Sequence, residues 1–114
     1  MKILITGSKG FIGRYLLQEL KNHQIVEFDK LLGNDVMNSV ELMQKMQGVK
    51  VVVHLAAALD EGNKQELHKI NVDATWNVLE SAKNSGVKKF IYLSTAGVYG
   101  SSKNPVDENT AANP

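Results

Sequence analysis

Residues Lys2 to Gly13, KILITGSKGFIG, restrict the possible folds more than any other stretch of this chain. Ile3, Leu4 and Ile5 form a short apolar run ending at Thr6, the pattern of a strand buried on both faces. The run stops at Gly7, and glycines recur at Gly10 and Gly13. Apolar residues then follow at helical spacing: Phe11, Ile12, Tyr15, Leu16 and Leu20. The order is strand, glycine turn, helix. A helix beginning at such a turn presents unpaired backbone N–H groups and the positive end of its dipole, which suits a phosphate or diphosphate. Gly7 would permit the tight turn, Gly10 the close approach of backbone to pyrophosphate, and Gly13 the packing of helix on strand. The alternative is a glycine-rich turn that binds nothing, against which the flanking strand and helix both weigh. The spacing is GxxGxxG, not GxGxxG, and no Gly-Lys-Ser/Thr follows, which argues against a P-loop hydrolase.

A chain of 114 residues predicts one domain at most, large enough for a core but small for a complete α/β enzyme. Apolar content of 43% and charged content of 22% are ordinary for a soluble domain, and a net charge of +1 predicts no nucleic-acid or membrane partner. The chain has no cysteine, which excludes disulfides, a thiolate nucleophile and zinc–cysteine sites and fits a cytoplasmic location. Met1 leads directly into strand residues, so no signal peptide is expected, and no apolar run approaches a membrane span.

Beyond the first helix, Ile25 to Phe28 predict a second strand ending at Asp29. An acidic residue there, about 20 residues from the glycine turn, is placed to hydrogen-bond the ribose hydroxyls of an adenosine and to repel a 2′-phosphate. NAD is therefore favoured over NADP, a preference softened by Lys30; a solvated turn residue is the alternative for Asp29. Leu31 to Asn38 reads as a turn-rich connection, and Ser39 as the cap of a helix through Met46 that ends at Gly48. Met43 and Met46 read as core fillers. Lys50 to Leu55 predict a third buried strand running into Ala56, Ala57 and Ala58, small residues that let a ligand approach. His54 lies inside that strand and reads as a hydrogen-bonded structural residue, since no second metal ligand stands at a suitable spacing. Asp60 to Lys64 reads as a polar loop, Glu66 to Ser85 as a helix, Lys89 to Ser94 as a fourth strand, and Thr95 to Pro114 as loop. Alternation of this kind predicts an α/β, Rossmann-type parallel sheet with helices on both faces, in the strand order 3-2-1-4. Such a sheet binds its ligand at the carboxyl ends of its strands, here Gly7, Asp29, Ala56 and Thr95.

With these residues in view, the chain resembles the extended short-chain dehydrogenase/reductase family, in particular its NAD-dependent nucleotide-sugar epimerases and dehydratases. The resemblance covers essentially all 114 residues. It rests on TGSKGFIG at Thr6–Gly13, Asp29, Asp35-Val36, HLAA at His54–Ala57, NVDATWNVLESA at Asn71–Ala82 and LSTAGVYG at Leu93–Gly100. It implies that Gly7, Gly10, Phe11, Ile12 and Gly13 line the pyrophosphate of NAD, and that Asp29 holds the adenosine ribose. It further implies that Asp35 and Val36 flank the adenine and that Leu55, Ala56 and Ala57 lie along the cofactor. Asn71 matches a helix asparagine near the active site. Thr95 falls on the active-site Ser/Thr that hydrogen-bonds the oxygen being oxidised or reduced, with Ser94 in reserve.

The family's chemistry also needs a tyrosine acting as general acid/base and a lysine four residues later on a helix. In relatives this pair follows closely after a segment like ENTAANP, which here ends at Pro114. The literal match Tyr99–Lys103 reads as a decoy, because Gly100, Ser101 and Ser102 are poor helix interior residues and Asn104-Pro105 would stop a helix at once. The expectation is the cofactor half of an enzyme acting on a nucleotide sugar, without its catalytic helix, later strands or substrate region. Its fourth strand would be an exposed sheet edge, so a homo-oligomer is expected. Three rivals stand beside it: a non-catalytic dinucleotide-binding module, a structural remnant that binds nothing, and a simple NAD-dependent sugar dehydrogenase or reductase.

Overall fold

Strand β1 (Lys2–Thr6) pairs in parallel on both of its edges, with β2 (Gln24–Phe28) on one side and β3 (Val51–His54) on the other. β4 (Lys89–Tyr92) adds in parallel to β3, completing a four-stranded sheet in the order β2-β1-β3-β4. The computed structural model describes residues 1–58 and 63–114. Within them the parallel α/β sheet is as the alternating pattern predicts, but the order 3-2-1-4 is not. After β2 the chain makes a 3-10 turn (Lys30–Leu32) and then a helix (Ser39–Lys45), and the next strand does not extend the sheet outward from β2. It crosses back to the open edge of β1, where Lys50 N–H donates to Lys2 C=O at 2.9 Å. β1, with four of its five residues buried, thereby acquires a neighbour on each side, and the direction of winding reverses between β1 and β3.

Period-two alternation divides the strand side chains between two layers. Leu4, Phe28 and Val52 point to one face, where they join Leu42 and Met46, Val78 and Ala82, and Val49 in one buried cluster. These side chains come largely from α2 (Ser39–Lys45) and α4 (Ala74–Asn84). Ile3, Ile5 and Val53 point to the opposite face and pack against Leu16, Leu17 and Leu20 from α1 (Phe11–Glu19) and the residue after it. Fully burying a Leu or Ile side chain contributes about 1.5–3 kcal/mol, so these two layers set the position of every loop at the carboxyl edge.

Several boundaries differ from the sequence reading. Asn38, not Ser39, caps α2: its Oδ1 accepts the Glu41 N–H at 3.1 Å, and Ser39 is the first helical residue. The helix expected over Glu66–Ser85 is α3 (Lys64–His68), a π turn (Lys69–Asp73) and α4. Of the polar loop expected at Asp60–Lys64, residues 60–62 lie outside the described residues. The apolar positions of the first helix do not form one buried face, because Phe11, Ile12 and Tyr15 are exposed while Leu16 and Leu20 are partly buried. β4 is an edge strand with Ile91 and Tyr92 exposed, as the sequence predicts for that edge. No described helix is long and apolar enough to cross a membrane.

Candidate functional site

The crevice at the winding reversal, between the carboxyl ends of β1 and β3, is where an open parallel sheet receives a ligand. Gly7 begins its first wall with φ +69° and donates its N–H to Phe28 C=O at 2.8 Å. A Cβ at Gly7 would stand 2.8 Å from Ala56 N and 2.9 Å from Leu55 C, so the β1 and β3 loops meet backbone to backbone. A Cβ at Gly13 would stand 2.4 Å from Gly7 O and 2.6 Å from Ser8 O, which seats the first turn of α1 directly on the glycine turn. At Gly10 the only atom within 4 Å among the described residues is Gly7 O, at 3.2 Å. Gly7 thus makes the tight turn and Gly13 the packing contact that the sequence predicts, while Gly10 leaves its side of the turn open.

Gly10 is the N-cap of α1, with no side chain closing the helix end and no acidic residue in the first turn. The first N–H groups of α1 have no acceptor inside the helix. The Ser8 hydroxyl is fully buried and, among the described residues, has no hydrogen-bond partner. A cradle that a Cβ would fill, unpaired helix amides and an unpartnered buried hydroxyl together fit the pyrophosphate of a dinucleotide.

Asp29 stands at the end of β2, beside this turn. One carboxylate oxygen accepts Lys9 N–H at 2.9 Å and the other accepts Leu31 N–H at 2.9 Å. The carboxylate therefore ties the glycine turn to the β2 loop, and each oxygen keeps a lone pair for a hydroxyl donor. The loop itself is braced by Asn34, whose Oδ1 accepts Asp29 N–H at 3.0 Å and whose Nδ2 donates to Glu41 of α2 at 2.6 Å. Asp35 is exposed and accepts Met37 N–H at 2.9 Å, while Val36 packs against the main core. Asn77 of α4 donates to Val36 C=O at 2.7 Å and accepts the Ser39 hydroxyl at 2.6 Å, pinning this loop to the body of the sheet.

Leu55, Ala56 and Ala57 form the wall opposite the glycine turn, with Leu55 and Ala56 half-buried and Ala57 exposed. Thr6 Oγ1 accepts both Leu55 N–H, at 3.0 Å, and Ala56 N–H, at 3.1 Å. Asn71 does not face the crevice as a free side chain: its Oδ1 accepts Ala58 N–H at 2.7 Å and its Nδ2 donates to Ala58 C=O at 3.0 Å. His54 is buried, with Nδ1 2.6 Å from Thr6 Oγ1 and Nε2 2.9 Å from Thr75 Oγ1, the hydrogen-bonded structural histidine that its place in the strand predicts. Burial lowers its pKa from 6.5 to about 4.

Thr95 follows β4 on the same edge, exposed, its Oγ1 accepting Gly97 N–H at 3.2 Å. Tyr99 ends a 3-10 turn (Ala96–Tyr99) and Gly100 follows with φ +65°, so Tyr99 and Lys103 share no helix. This agrees with the reading of that pair as a decoy. Sequence reasoning missed Ser8, Asn34, Thr75 and Asn77 as parts of the site. The signal available for Thr75 and Asn77 was their place inside the segment Asn71–Ala82.

A sequence model described as "NAD dependent epimerase/dehydratase family" matches residues 3–114. The dTDP-D-glucose 4,6-dehydratase of Dictyostelium discoideum is 37% identical over 88% of this chain and 30% of its own length. The N-acetyl-alpha-D-glucosaminyl-diphospho-ditrans,octacis-undecaprenol 4-epimerase of Escherichia coli O157:H7 is 33% identical over 98% of this chain and 38% of its own. Among solved structures, the UDP-glucuronic acid 4-epimerase from Bacillus cereus in complex with NAD superposes with a TM-score of 0.88 at 31% identity, over 100% of this chain and 46% of that one. The chain spans less than half the length of the curated relatives it matches. With a match over nearly every residue and the same fold beneath it, the chain belongs to the NAD dependent epimerase/dehydratase family.

Proposed function

We propose that residues 1–114 are the N-terminal part of the NAD-binding domain of an epimerase or dehydratase that acts on a nucleotide sugar by hydride transfer. The observation that carries this reading is the glycine cradle: Gly7 and Gly13 have no room for a Cβ, Gly10 is open, and no side chain caps the first-turn amides of α1. In this reading the turn from Gly7 to Gly13, with Phe11 and Ile12, holds the pyrophosphate and Asp29 holds the adenosine ribose. Asp35 and Val36 flank the adenine, and Leu55 to Ala57 lie along the cofactor. NAD, when bound, supplies the hydride acceptor. Thr95 orients the sugar hydroxyl by exchanging its present hydrogen bond to Gly97 for one to substrate. The general base is not Tyr99, which shares no helix with Lys103. The chain alone is therefore catalytically incomplete, and the active protein is a homo-oligomer. Support comes also from relatives whose names specify dTDP-D-glucose and UDP-glucuronic acid.

Calorimetric titration of the chain with NAD and NADP tests this. The wild type is expected to bind NAD more tightly than NADP, and Asp29→Ala to weaken NAD about tenfold and abolish the preference. Absence of NAD binding at millimolar concentration would overturn the reading. A second reading, a dinucleotide-binding module without turnover of its own, is favoured by the placement of Tyr99 and Lys103. NAD binding without conversion of any nucleotide sugar by the whole protein would select it.

A further inference from the structure

Thr6, His54 and Thr75 form a hydrogen-bonded chain whose direction follows from donor counting. Thr6 and His54 are register partners on adjacent strands and point to the same face of the sheet, toward α4. The Thr6 hydroxyl has two lone pairs and one proton. Its lone pairs receive the N–H of Leu55, at 3.0 Å and shared with Thr6 C=O at 3.1 Å, and the N–H of Ala56, at 3.1 Å. The proton is left for His54 Nδ1, at 2.6 Å, which must therefore be the acceptor nitrogen. His54 Nε2 then carries the ring proton and donates to Thr75 Oγ1 at 2.9 Å. Thr75 in turn donates to Asn71 C=O at 2.9 Å, a carbonyl within the π turn. Asn71 closes the circuit through its two bonds to the Ala58 backbone, at 2.7 and 3.0 Å.

We propose that His54 is a positioning residue for this site, joining Thr6 to Thr75 as the neutral Nε2–H imidazole and so fixing the Ala56–Ala58 wall of the crevice. Two amides of that wall are held at the ends of one circuit, Ala56 by Thr6 and Ala58 by Asn71, and His54 is the link between the halves. The π turn has a reason here: it sets Asn71 toward the β3 loop while Thr75, four residues on, meets the ring. The faces around the imidazole contribute no charge. β4 supplies Tyr92, its ring 5.8 Å away and stacked, and Phe90, 6.1 Å away. β1 and α4 supply the two threonine hydroxyls, and no charged side chain among the described residues bonds to the ring. The tautomer is thus dictated by hydroxyl partners alone.

The effect on ligand rests on the reading of the crevice as an NAD site, whereas the effect on the wall does not, and the test separates them. In the full chain, nitrogen-15 NMR of the His54 ring reads the tautomer, amide hydrogen exchange at Ala56 and Ala58 reads the wall, and calorimetry reads NAD affinity. The Nε2–H form is expected in the wild type. Thr75→Val is expected to speed exchange at both alanines and to weaken NAD, each about tenfold, and Thr75→Ser to restore both. An Nδ1–H tautomer in the wild type would overturn the proposal. So would unchanged exchange and affinity in Thr75→Val. Should Thr75→Val fail to fold, the wild-type tautomer and a Thr75→Ser variant that exchanges like wild type at Ala56 and Ala58 decide the matter. If exchange behaves as expected but the wild type binds no NAD, the positioning role stands and the cofactor reading falls.

Discussion

Replacing Gly13 with Ala isolates the packing role of one glycine in the turn. Gly13 lies in α1 with ordinary helical backbone, so by propensity alone Ala should stabilise the helix by about 0.5–1 kcal/mol. The added Cβ, however, would stand 2.4 Å from Gly7 O, 2.6 Å from Ser8 O and 2.7 Å from Ser8 C, all of them backbone. A carbon–oxygen contact needs about 3.3 Å, so helix and turn must separate by about 0.9 Å. Forced movement in a packed region costs about 1–3 kcal/mol, which outweighs the propensity gain. The expected net loss is about 1–2 kcal/mol, a fall in melting temperature of roughly 5–10 °C for a domain of this size. NAD affinity should fall at least about tenfold, because the α1 amides move relative to the turn. Gly10→Ala is the control: its Cβ meets only Gly7 O, at 3.2 Å, so melting should stay within about 3 °C while NAD affinity still drops about tenfold. Thermal unfolding by circular dichroism and NAD calorimetry on both variants make the comparison. A Gly13→Ala protein melting at or above the wild-type temperature would refute the packing argument, and a Gly10→Ala protein binding NAD normally would refute the approach argument.

Two further outcomes follow from buried polar groups. Ser8→Ala removes a fully buried hydroxyl with no partner, so urea unfolding should show a gain of about 1 kcal/mol without ligand, and calorimetry a loss of NAD affinity if that hydroxyl meets the pyrophosphate; a destabilised Ser8→Ala would contradict this. His54 has a folded pKa of about 4, below its unfolded 6.5, so the unfolded chain binds the proton first as pH falls. Its contribution to stability is complete above pH 6.5 and is lost as pH falls toward 4, by about 3 kcal/mol in all. Urea unfolding of wild type and His54→Gln should therefore show a stability difference that shrinks between pH 7 and pH 4.5, and a constant difference would show that the imidazole has the same pKa folded and unfolded, so that burial does not lower it.

What was legible in the sequence is what depends on local pattern. The β-branched runs, the glycine spacing and the residues closing each strand place Gly7, Asp29, Ala56 and Thr95 on one edge, because a parallel sheet puts all its carboxyl ends together. The strand order was not legible in the same way: whether the third run adds beside β2 or beside β1 depends on which edge is more apolar and on the reach of the connection. The exposure of Phe11, Ile12 and Tyr15 was illegible for a similar reason, since α1 presents its later leucines to the sheet and periodicity does not say which side of a helix wins. Asn71 was legible only as a member of its motif. Its motif marked it as near the site, but only the fold shows that both ends of its amide are spent on Ala58.

The division between cradle and braces explains why these side chains stayed hidden. A surface that grips a diphosphate through backbone N–H groups must be free of side chains, so its sequence signature is an absence, glycine, and absences at fixed spacing are easy to read. Backbone left that bare has nothing of its own to hold its shape. Here the holding is done from behind by short polar side chains: Asp29 on Lys9 and Leu31, Asn34 on Asp29, Asn77 on Val36, Asn71 on Ala58, and Thr6 on Leu55 and Ala56. Each reaches a partner that pattern reading does not reveal, and most reach one more than ten positions away. Short amides and hydroxyls suit the task because they lose little rotamer freedom and satisfy loop amides that no ladder can reach. Substitutions at the braces should therefore loosen loops without disturbing the core, whereas substitutions at Gly7 or Gly13 disturb both, since there the loops themselves are in contact.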